Sequence, residues 1–146
     1  MNNNEFLNQA AYTIKRGLEY NIKGRKQGLA ELADDIDAEG LKCRDIFEFG
    51  IRLASDGFDS ENINSILSNM IDMEYPVNPG EKKLQEQDET ARRLKIIQKE
   101  AVLKIQEGLN SWLFLCTVFS FLSNKEQEEI KTFLNDDSFT EFFKMY

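Results

Sequence analysis

The sequence predicts an all-α protein, folded as a single compact helical domain of about six helices. Over most of the chain, apolar residues recur at intervals of three or four positions, which is the spacing of one face of a helix. No segment shows the alternation of apolar and polar residues, with β-branched enrichment, that is typical of strands. The two prolines, Pro76 and Pro79, share one short stretch, so long helices are uninterrupted on either side.

Three helical segments are expected before the prolines. The first places its apolar face at positions four residues apart, namely Phe6, Ala10, Ile14, Leu18 and Ile22. The pattern is interrupted at residues 24–28, which contain two glycines, and then resumes. A second helix is expected over residues 39–55 and should end at Gly57, because glycine adopts the left-handed conformation at no steric cost. Asp59 or Ser60 suits the N-cap of a third helix.

Further helices are expected beyond the prolines. Residues 81–107 are rich in strong helix formers and should end at Gly108. Two short helices are expected over residues 124–134 and 138–143. The aromatic side chains of the last segment either close the domain or form an exposed patch: Phe139, Phe142, Phe143 and Tyr146.

Residues 112–122 form an almost wholly apolar segment, which Asn110 or Ser111 could cap as a helix. A helix that is apolar on every side needs to be enclosed by the protein or by a partner. We therefore expect this helix to be central, packed against residues 94–105 and against the second helix.

Composition excludes several classes of protein. The 146 residues suffice for one compact domain, and 41% hydrophobic with 30% charged residues is ordinary for a soluble one. A formal net charge of −8 argues against a nucleic-acid binder. The longest apolar run, residues 112–122, is shorter than the roughly 20 residues that a membrane helix needs. The first ten residues do not resemble a signal peptide. We expect a cytoplasmic protein without a transmembrane segment.

No enzyme is predicted. Histidine, the commonest general base and metal ligand, is absent. The two cysteines, Cys43 and Cys116, lie far apart and form no metal-binding spacing, so we expect reduced thiols in or near the core. Neighbouring acids such as Asp34 and Asp35 point about 100° apart on a helix and do not converge on a substrate. We expect neither a cofactor nor a metal ion.

Charge is segregated along the chain. Residues 14–26 carry five basic side chains and one acidic, residues 31–74 carry three basic and twelve acidic, and residues 82–104 carry seven basic and four acidic. Two basic segments therefore flank a strongly acidic one. We expect these oppositely charged segments to bind each other or another charged protein.

Arg25 stands out within the first basic segment. It lies where the helical spacing of Leu18, Ile22 and Leu29 would place an apolar residue. In one interpretation its aliphatic stem packs while its guanidinium finds a local carboxylate. In the other, it contacts a partner.

Two blocks of sequence carry motifs that occur together in a known family. The first block contains Gly24-Arg-Lys-Gln-Gly-Leu-Ala-Glu-Leu32 and then Phe49-Gly-Ile-Arg-Leu-Ala-Ser-Asp-Gly-Phe-Asp59. The second contains Lys99-Glu-Ala-Val-Leu-Lys-Ile-Gln-Glu-Gly108, followed by a segment that ends in Phe119-Ser-Phe-Leu122. Over about 85 residues, these blocks resemble the cytoplasmic region of the flagellar stator family MotA. That family has motifs of the types R-x-x-G-L-x-x-L-E, G-L-x-L-x-x-D-G-x-D and E-x-x-L-x-I-Q-x-G in this order.

The resemblance divides the chain into three parts. Residues 1–75 resemble the family's cytoplasmic loop, residues 76–91 are a connector in place of one pair of membrane helices, and residues 92–146 resemble the cytoplasmic tail. The amphipathic N-terminal helix replaces the other pair. Because the family's membrane helices form its ion channel, the resemblance implies a soluble component, at the flagellar base, that conducts no protons.

The resemblance also implies a role in docking. Family members contact the rotor protein FliG through an arginine and, eight residues later, a glutamate. Arg25 matches the arginine, but Ala33 occupies the second position, so half of this charge pair is absent. The expected partner-binding residues are the charged side chains near Arg25, although neither acid is assigned the glutamate's role: Lys23, Arg25, Lys26, Glu31 and Asp34. We expect this basic segment to dock onto an acidic surface of FliG or of another rotor or stator protein.

Other interpretations stay open at this stage. The protein could be a helical adaptor without a role in motility, in which case the resemblance is a relic of descent. It could form a homo-oligomer that buries residues 112–122 between its subunits. The chain could also be a stator fragment from which the membrane helices have been excised.

Overall fold

The computed structural model describes residues 1–38, 45–76, 86–134 and 139–145 of the chain. Within these ranges it contains eight α-helices, one 3-10 turn and no strand, which confirms the all-α fold class. The helices are α1 (Asn3–Gln27), α2 (Leu32–Ala38), α3 (Ile46–Ser55), α4 (Ser60–Glu74), α5 (Glu86–Gln106), α6 (Ser111–Phe119), α7 (Asn124–Phe133) and α8 (Thr140–Met145). In the same ranges, no helix combines the length and apolar character that a membrane span requires.

Side chains cap the starts of several helices. Asn2 caps α1 and Ser123 caps α7, each in a reciprocal capping box with the glutamate three residues later. One of the two predicted candidates caps α4 and one caps α6: Asp59 and Asn110 accept hydrogen bonds from backbone N–H groups at 2.8 and 2.9 Å. The predicted caps of α4 and α6 are thereby confirmed.

Glycines with positive φ end three helices. Gly28 follows α1 with φ 97°, Gly57 follows the end of α3 with φ 94°, and Gly108 follows α5 with φ 70°. The expected ends at Gly57 and Gly108 are confirmed. The expected interruption within residues 24–28 occurs at its second glycine: α1 continues through Gly24 and ends at Gln27, and Gly28 separates it from the 3-10 turn.

Helices α1 and α5 run parallel, as their successive contacts show. The Arg93 guanidinium lies 4.3 Å from the centroid of the Phe6 ring. Further along both helices, Asn21 Nδ2 donates to the carbonyl oxygen of Leu109 at 2.8 Å. The C-terminal ends of α1 and α5 therefore lie at the same end of the molecule.

Helix α3 has the same direction, and α4 runs against it. Gly50 of α3 packs on Val102 of α5, and Gln106 Nε2 donates to the carbonyl oxygen of Phe58 at 3.3 Å. In α4, Asp72 pairs with Arg92, near the start of α5, at 3.1 Å. The turns at Gly28, Gly57 and Gly108 consequently lie at one end of the bundle, which we call the glycine end.

One hydrophobic core joins the segments on either side of the prolines. Helix α5 packs against α1, α3 and α4, and its buried face lies among theirs. Ten apolar side chains illustrate this shared core, each no more than 2% exposed: Phe6, Ile14, Ile51, Ile63, Leu67, Leu94, Ile97, Ala101, Val102 and Ile105. Most of the connector, residues 77–85, lies outside the described residues.

The apolar segment 112–122 differs from its prediction in two respects. It is helical only to Phe119, and it is not enclosed on every side, since Leu113 is 44% exposed. The predicted packing against residues 94–105 is confirmed, since they lie in α5, but the other main neighbour is α1 rather than the second helix of the prediction, which corresponds to α3. The reason is local shape: the buried Phe114 ring lies directly over Gly17, where α1 has no side chain.

The aromatic residues near the end of the chain close the domain. Phe139 and Phe142 are 1% and 4% exposed. The Phe142 ring stacks on Phe119 and meets Trp112 edge-on, with centroid distances of 5.2 Å in both pairs. Of the two expectations for this segment, packing back onto the domain is the one observed for the residues that the structure describes. Tyr146 lies outside them.

Ile22 is the clearest error on the predicted buried face of α1. Its side chain is 39% exposed, whereas its neighbour Asn21 is 1% exposed. Asn21 bonds the Leu109 carbonyl and accepts a hydrogen bond from Ser111 at 2.9 Å, which directs position 21 inward. Position 22, about 100° further around the helix, therefore points to solvent.

A buried hydrogen bond joins α1 to α3. The Tyr20 hydroxyl donates to Glu48 Oε2 at 3.0 Å, and the two residues are 1% and 5% exposed. Burial, together with the nearby Glu48 charge, raises the pKa of Tyr20 above its ordinary value, so the hydroxyl stays a donor.

Of the cysteines, Cys116 is a half-buried free thiol, and Cys43 lies outside the described residues, as do residues 39–44 of the predicted second helix.

Arg93 connects α5 to α1 and α7. Its guanidinium donates two hydrogen bonds to the Glu126 carboxylate, at 2.7 and 2.6 Å, and a third to the Phe121 carbonyl at 3.1 Å. The Arg93 guanidinium also lies over the Phe6 ring. The hydrogen bonds from Arg93, with those from Ser123, lower the pKa of Glu126 to about 2.

We predict that Gly17→Ala destabilises the protein. A Cβ at this position would lie 2.5 Å from Cζ of the buried Phe114 ring. The free energy of unfolding should fall by about 1–3 kcal/mol, as overpacking does elsewhere, and urea denaturation measures it. The control Gly24→Ala should be nearly neutral, because its nearest neighbour is a terminal methyl of Leu29. If Phe114→Leu does not partly rescue Gly17→Ala, the collision is not the cause.

We also predict a pH-dependent effect of Glu126→Gln. The pKa of about 2 in the fold lies below the ordinary 4.5, so the carboxylate stabilises the fold fully above about pH 4.5. This stabilisation disappears as the pH falls from there toward 2. The variant should lose roughly 1–2 kcal/mol at pH 7, and its deficit relative to the parent should shrink toward zero at the acid end. Denaturation at a series of pH values tests this, with Glu129→Gln as the matched control. A deficit independent of pH would contradict it.

Candidate partner-binding site

The basic segment 23–26 forms the last turn of α1 at the glycine end. Asn21 marks the level at which α1 contacts the turn between α5 and α6. Arg25 lies four residues, or about 6 Å, further along the axis. Cations are favoured here because the C-terminus of a helix carries the negative end of its dipole. The segment therefore lies beyond that contact, at the glycine end, where Leu29 and Leu32 pack near Gly24.

Lys23 is held by a partner within the protein. Its Nζ lies 2.9 Å from Oδ1 of Asp35 in α2, and the two side chains are 24% and 37% exposed. This ion pair ties α2 to α1 after the chain reverses at Gly28. Lys23 thus contributes positive charge to the surface, but its ammonium group is already engaged.

Arg25 and Lys26 are exposed. Within the described residues, neither side chain forms an ion pair or a hydrogen bond. The guanidinium of Arg25 has therefore found no carboxylate there. Of the three basic residues predicted to bind a partner, these two offer charge that the fold itself does not use.

The two predicted acidic residues lie on the next segment. Glu31 is exposed in the 3-10 turn Leu29–Glu31, and Asp34 is exposed in the first turn of α2. The structure pairs Lys23 with Asp35 and forms no described ion pair between these acids and Arg25 or Lys26. Ala33, at the position of the family's glutamate, is half-buried.

Ile22 belongs to the same surface, although its spacing predicted a position on the buried face of α1. On a helix, residues three and four apart are neighbours, so Ile22 shares a face with Arg25 and Lys26. The result is an exposed apolar side chain beside two exposed cations. Helix geometry could have revealed it: positions four apart drift by about 40° per step, so Ile22 lies about 160° from Phe6.

The remaining polar clusters do not form a comparable site. No group of three or more side chains able to hold a metal ion occurs among the described residues. A cleft of about 520 Å³ is lined by Asn3, Arg93, Ser123, Lys125, Glu126 and Glu129. Its central charges, Arg93 and Glu126, neutralise one another across α5 and α7. The exposed end of α1 can attract a negatively charged surface through Arg25 and Lys26.

Comparisons of the chain with protein-family models, with curated proteins and with solved structures return no match.

We predict that Arg25→Ala and Lys26→Ala leave stability unchanged within about 0.5 kcal/mol, because neither side chain contacts another charged group in the described fold. Lys23→Ala should cost up to about 1 kcal/mol through loss of the exposed pair with Asp35. Urea denaturation of the three variants measures these differences. A double-mutant cycle with Asp35→Ala isolates the pair. A loss of more than about 1 kcal/mol in Arg25→Ala would make Arg25 a structural residue.

Proposed function

We propose that this chain is a protein-interaction domain without catalytic activity, and that it docks through the exposed end of α1 onto an acidic surface of another protein. The observation that carries the proposal is the pair Arg25 and Lys26, two adjacent cations that the described fold leaves exposed and unpaired. Charges held at one rigid helix end suit recognition of an opposite charge. They do not suit a reaction, which would need a nucleophile or base beside them.

The proposed mechanism is electrostatic docking with a small apolar contact. Arg25 can bind a carboxylate through two parallel hydrogen bonds, which fixes orientation, while Lys26 acts as a point charge. Ile22 adds apolar area next to both, and Lys23, held by Asp35, supports the local positive potential. Surface charges of this kind set association rate and partner choice more than raw affinity. Binding should therefore weaken as salt is added.

The motif resemblance suggests where the partner belongs. Arg25 matches the arginine with which members of the MotA family contact the rotor, so the proposed partners are rotor or stator proteins, with FliG first among them. The protein would then be a soluble component of, or an accessory to, the flagellar motor. The absence of the family's glutamate at Ala33 predicts a contact that differs from the one that generates torque. The competing proposal is a helical adaptor outside motility.

We predict that the protein retains its partner in a pull-down at low salt and loses it in Arg25→Glu/Lys26→Glu. The bait is the full chain with a tag, the lysate comes from the source cells, and the retained proteins are identified by mass spectrometry. Purified FliG is tested in parallel by titration calorimetry. The binding constant should fall by at least about tenfold on charge reversal, since opposed like charges cost several kcal/mol.

The matched control is Lys15→Glu. Lys15 is exposed on the same helix, ten residues before Arg25, and its reversal changes the net charge in the same direction. Retention by this control, with loss in the Arg25/Lys26 variant, assigns the contact to the end of α1. Recovery of rotor or stator proteins supports the motor role, and recovery only of unrelated proteins favours the adaptor. Binding that is unaffected by salt or by charge reversal would refute electrostatic docking.

A further inference from the structure

The glycine end carries an acidic surface as well as the basic one. The loop from α3 to α4 places Asp56, Asp59 and Glu61 in exposed positions, together with Phe58, whose side chain is 42% exposed. We call these four residues the acidic patch and call Ile22, Arg25 and Lys26 the basic patch. Each patch thus combines an exposed apolar side chain with charges of one sign.

The acidic patch is held rigidly. The carbonyl oxygen of Phe58 accepts a hydrogen bond from Gln106 at 3.3 Å, and Asp59 caps α4 by accepting from the N–H of Asn62 at 2.8 Å. The left-handed Gly57 fixes the turn before them. The backbone of the loop therefore needs no further ordering to present these residues, which lowers the entropic cost of a contact.

The charges of the acidic patch are largely unused by the fold. Glu61 forms no ion pair within the described residues. Asp56 lies 3.5 Å from Arg52 in an exposed pair, which contributes little. Asp59 accepts a hydrogen bond as a cap but keeps its negative charge. A cation approaching this loop from outside would meet a net negative surface.

The relative position of the two patches decides what they fit. Helices α1, α3 and α5 run parallel, so the end of α1 and the loop after α3 lie at the same end of the bundle, with α2 and the 3-10 turn contacting α3 between them. Two copies meeting end to end across a two-fold axis would oppose each basic patch to the acidic patch of the other copy. Such a contact is self-complementary and closes on itself.

We propose that the acidic surface recognised by the basic patch is the acidic patch of a second copy of this chain, and that the glycine end is a homodimer interface. This inference rests on the proposed function for the role of the basic patch, and it places a second copy of the chain there in place of the rotor or stator protein. Each copy supplies both halves of the contact, so every opposed charge pair and the Phe58–Ile22 apolar contact occur twice. The dimer needs no rearrangement of the fold.

The net charge of −8 sets the conditions under which the dimer forms. At about 0.1 M salt the Debye length is about 10 Å, so repulsion between remote faces of the two copies is screened while opposed charges in contact still attract. At about 1 M salt the Debye length is about 3 Å, and exposed pairs lose most of their attraction. Dimerisation should therefore be present at the first salt concentration and weaker at the second.

Sedimentation equilibrium of the full chain tests the proposal. At about 0.1 M salt we expect a concentration-dependent mass that approaches two chains. Reversal of the basic patch, Arg25→Glu/Lys26→Glu, and reversal of the acidic patch, Asp56→Lys/Glu61→Lys, should each raise the dissociation constant by about tenfold or more. Circular dichroism checks that each variant folds, and Glu61→Lys alone replaces the double variant if it does not. Lys15→Glu is the control and should dimerise like the parent.

The decisive experiment mixes the basic-patch variant, Arg25→Glu/Lys26→Glu, with the acidic-patch variant, Asp56→Lys/Glu61→Lys. One chain then carries acidic groups on both patches and the other carries basic groups on both, so each contact is restored and a mixed dimer should form. A chain that stays monomeric at every salt concentration while binding another protein through Arg25 and Lys26 would overturn this inference and leave the proposed function standing. A dimer that survives both reversals, or a mixture that stays monomeric, would also overturn it. Failure of both self-association and partner binding would refute the proposed function as well.

Discussion

The packing of α5 among α1, α3 and α4 is the constraint on which the rest of this structure depends. Close approach is achieved where α3 lacks a side chain: Gly50 lies against Val102, and a Cβ there would come within 2.7 Å of it. Because α5 aligns α1 and α3 in the same direction, their C-terminal ends emerge together at the glycine end. The juxtaposition of a basic helix end and an acidic loop is thus a consequence of core packing, since the two surfaces are separated by about thirty residues in sequence.

A second consequence concerns which charges the fold uses. Arg93 and Glu126 form a bidentate, partly buried pair that also contacts the Phe6 ring, so their charges serve the joining of three helices. Lys23 and Asp35 serve the attachment of α2. Arg25 and Lys26 serve neither purpose, although they belong to the same basic segment as Lys23. Within this basic segment, the candidate site therefore consists of Arg25 and Lys26, whose charges no other residue of the described fold engages.

Much of the fold could be predicted from the sequence because its signals are local. Helical periodicity, the caps at Asp59 and Asn110, and the glycine ends at Gly57 and Gly108 depend only on a few neighbouring residues, so they survive any tertiary arrangement. The candidate site was partly predictable for the same reason: an arginine at a position where the helical spacing calls for an apolar residue is visible in the sequence. The motif resemblance suggests that Arg25 contacts a rotor or stator protein, and that role stays a proposal.

What only the tertiary structure decided is which face of each helix meets which neighbour. Ile22 has the residue type of a core position but ends a face that drifts by about 40° every four residues. The hydrogen bond from Asn21 to the turn after α5 decides that position 21 is buried and position 22 is exposed. The apolar residues 112–122 suggested a central helix, yet their placement against α1 follows from the fit of Phe114 to Gly17, a contact between residues nearly one hundred positions apart. Sequence periodicity determines that a helix forms and how amphipathic it is. Its partners are selected by shape and by long-range hydrogen bonds, which no local pattern encodes.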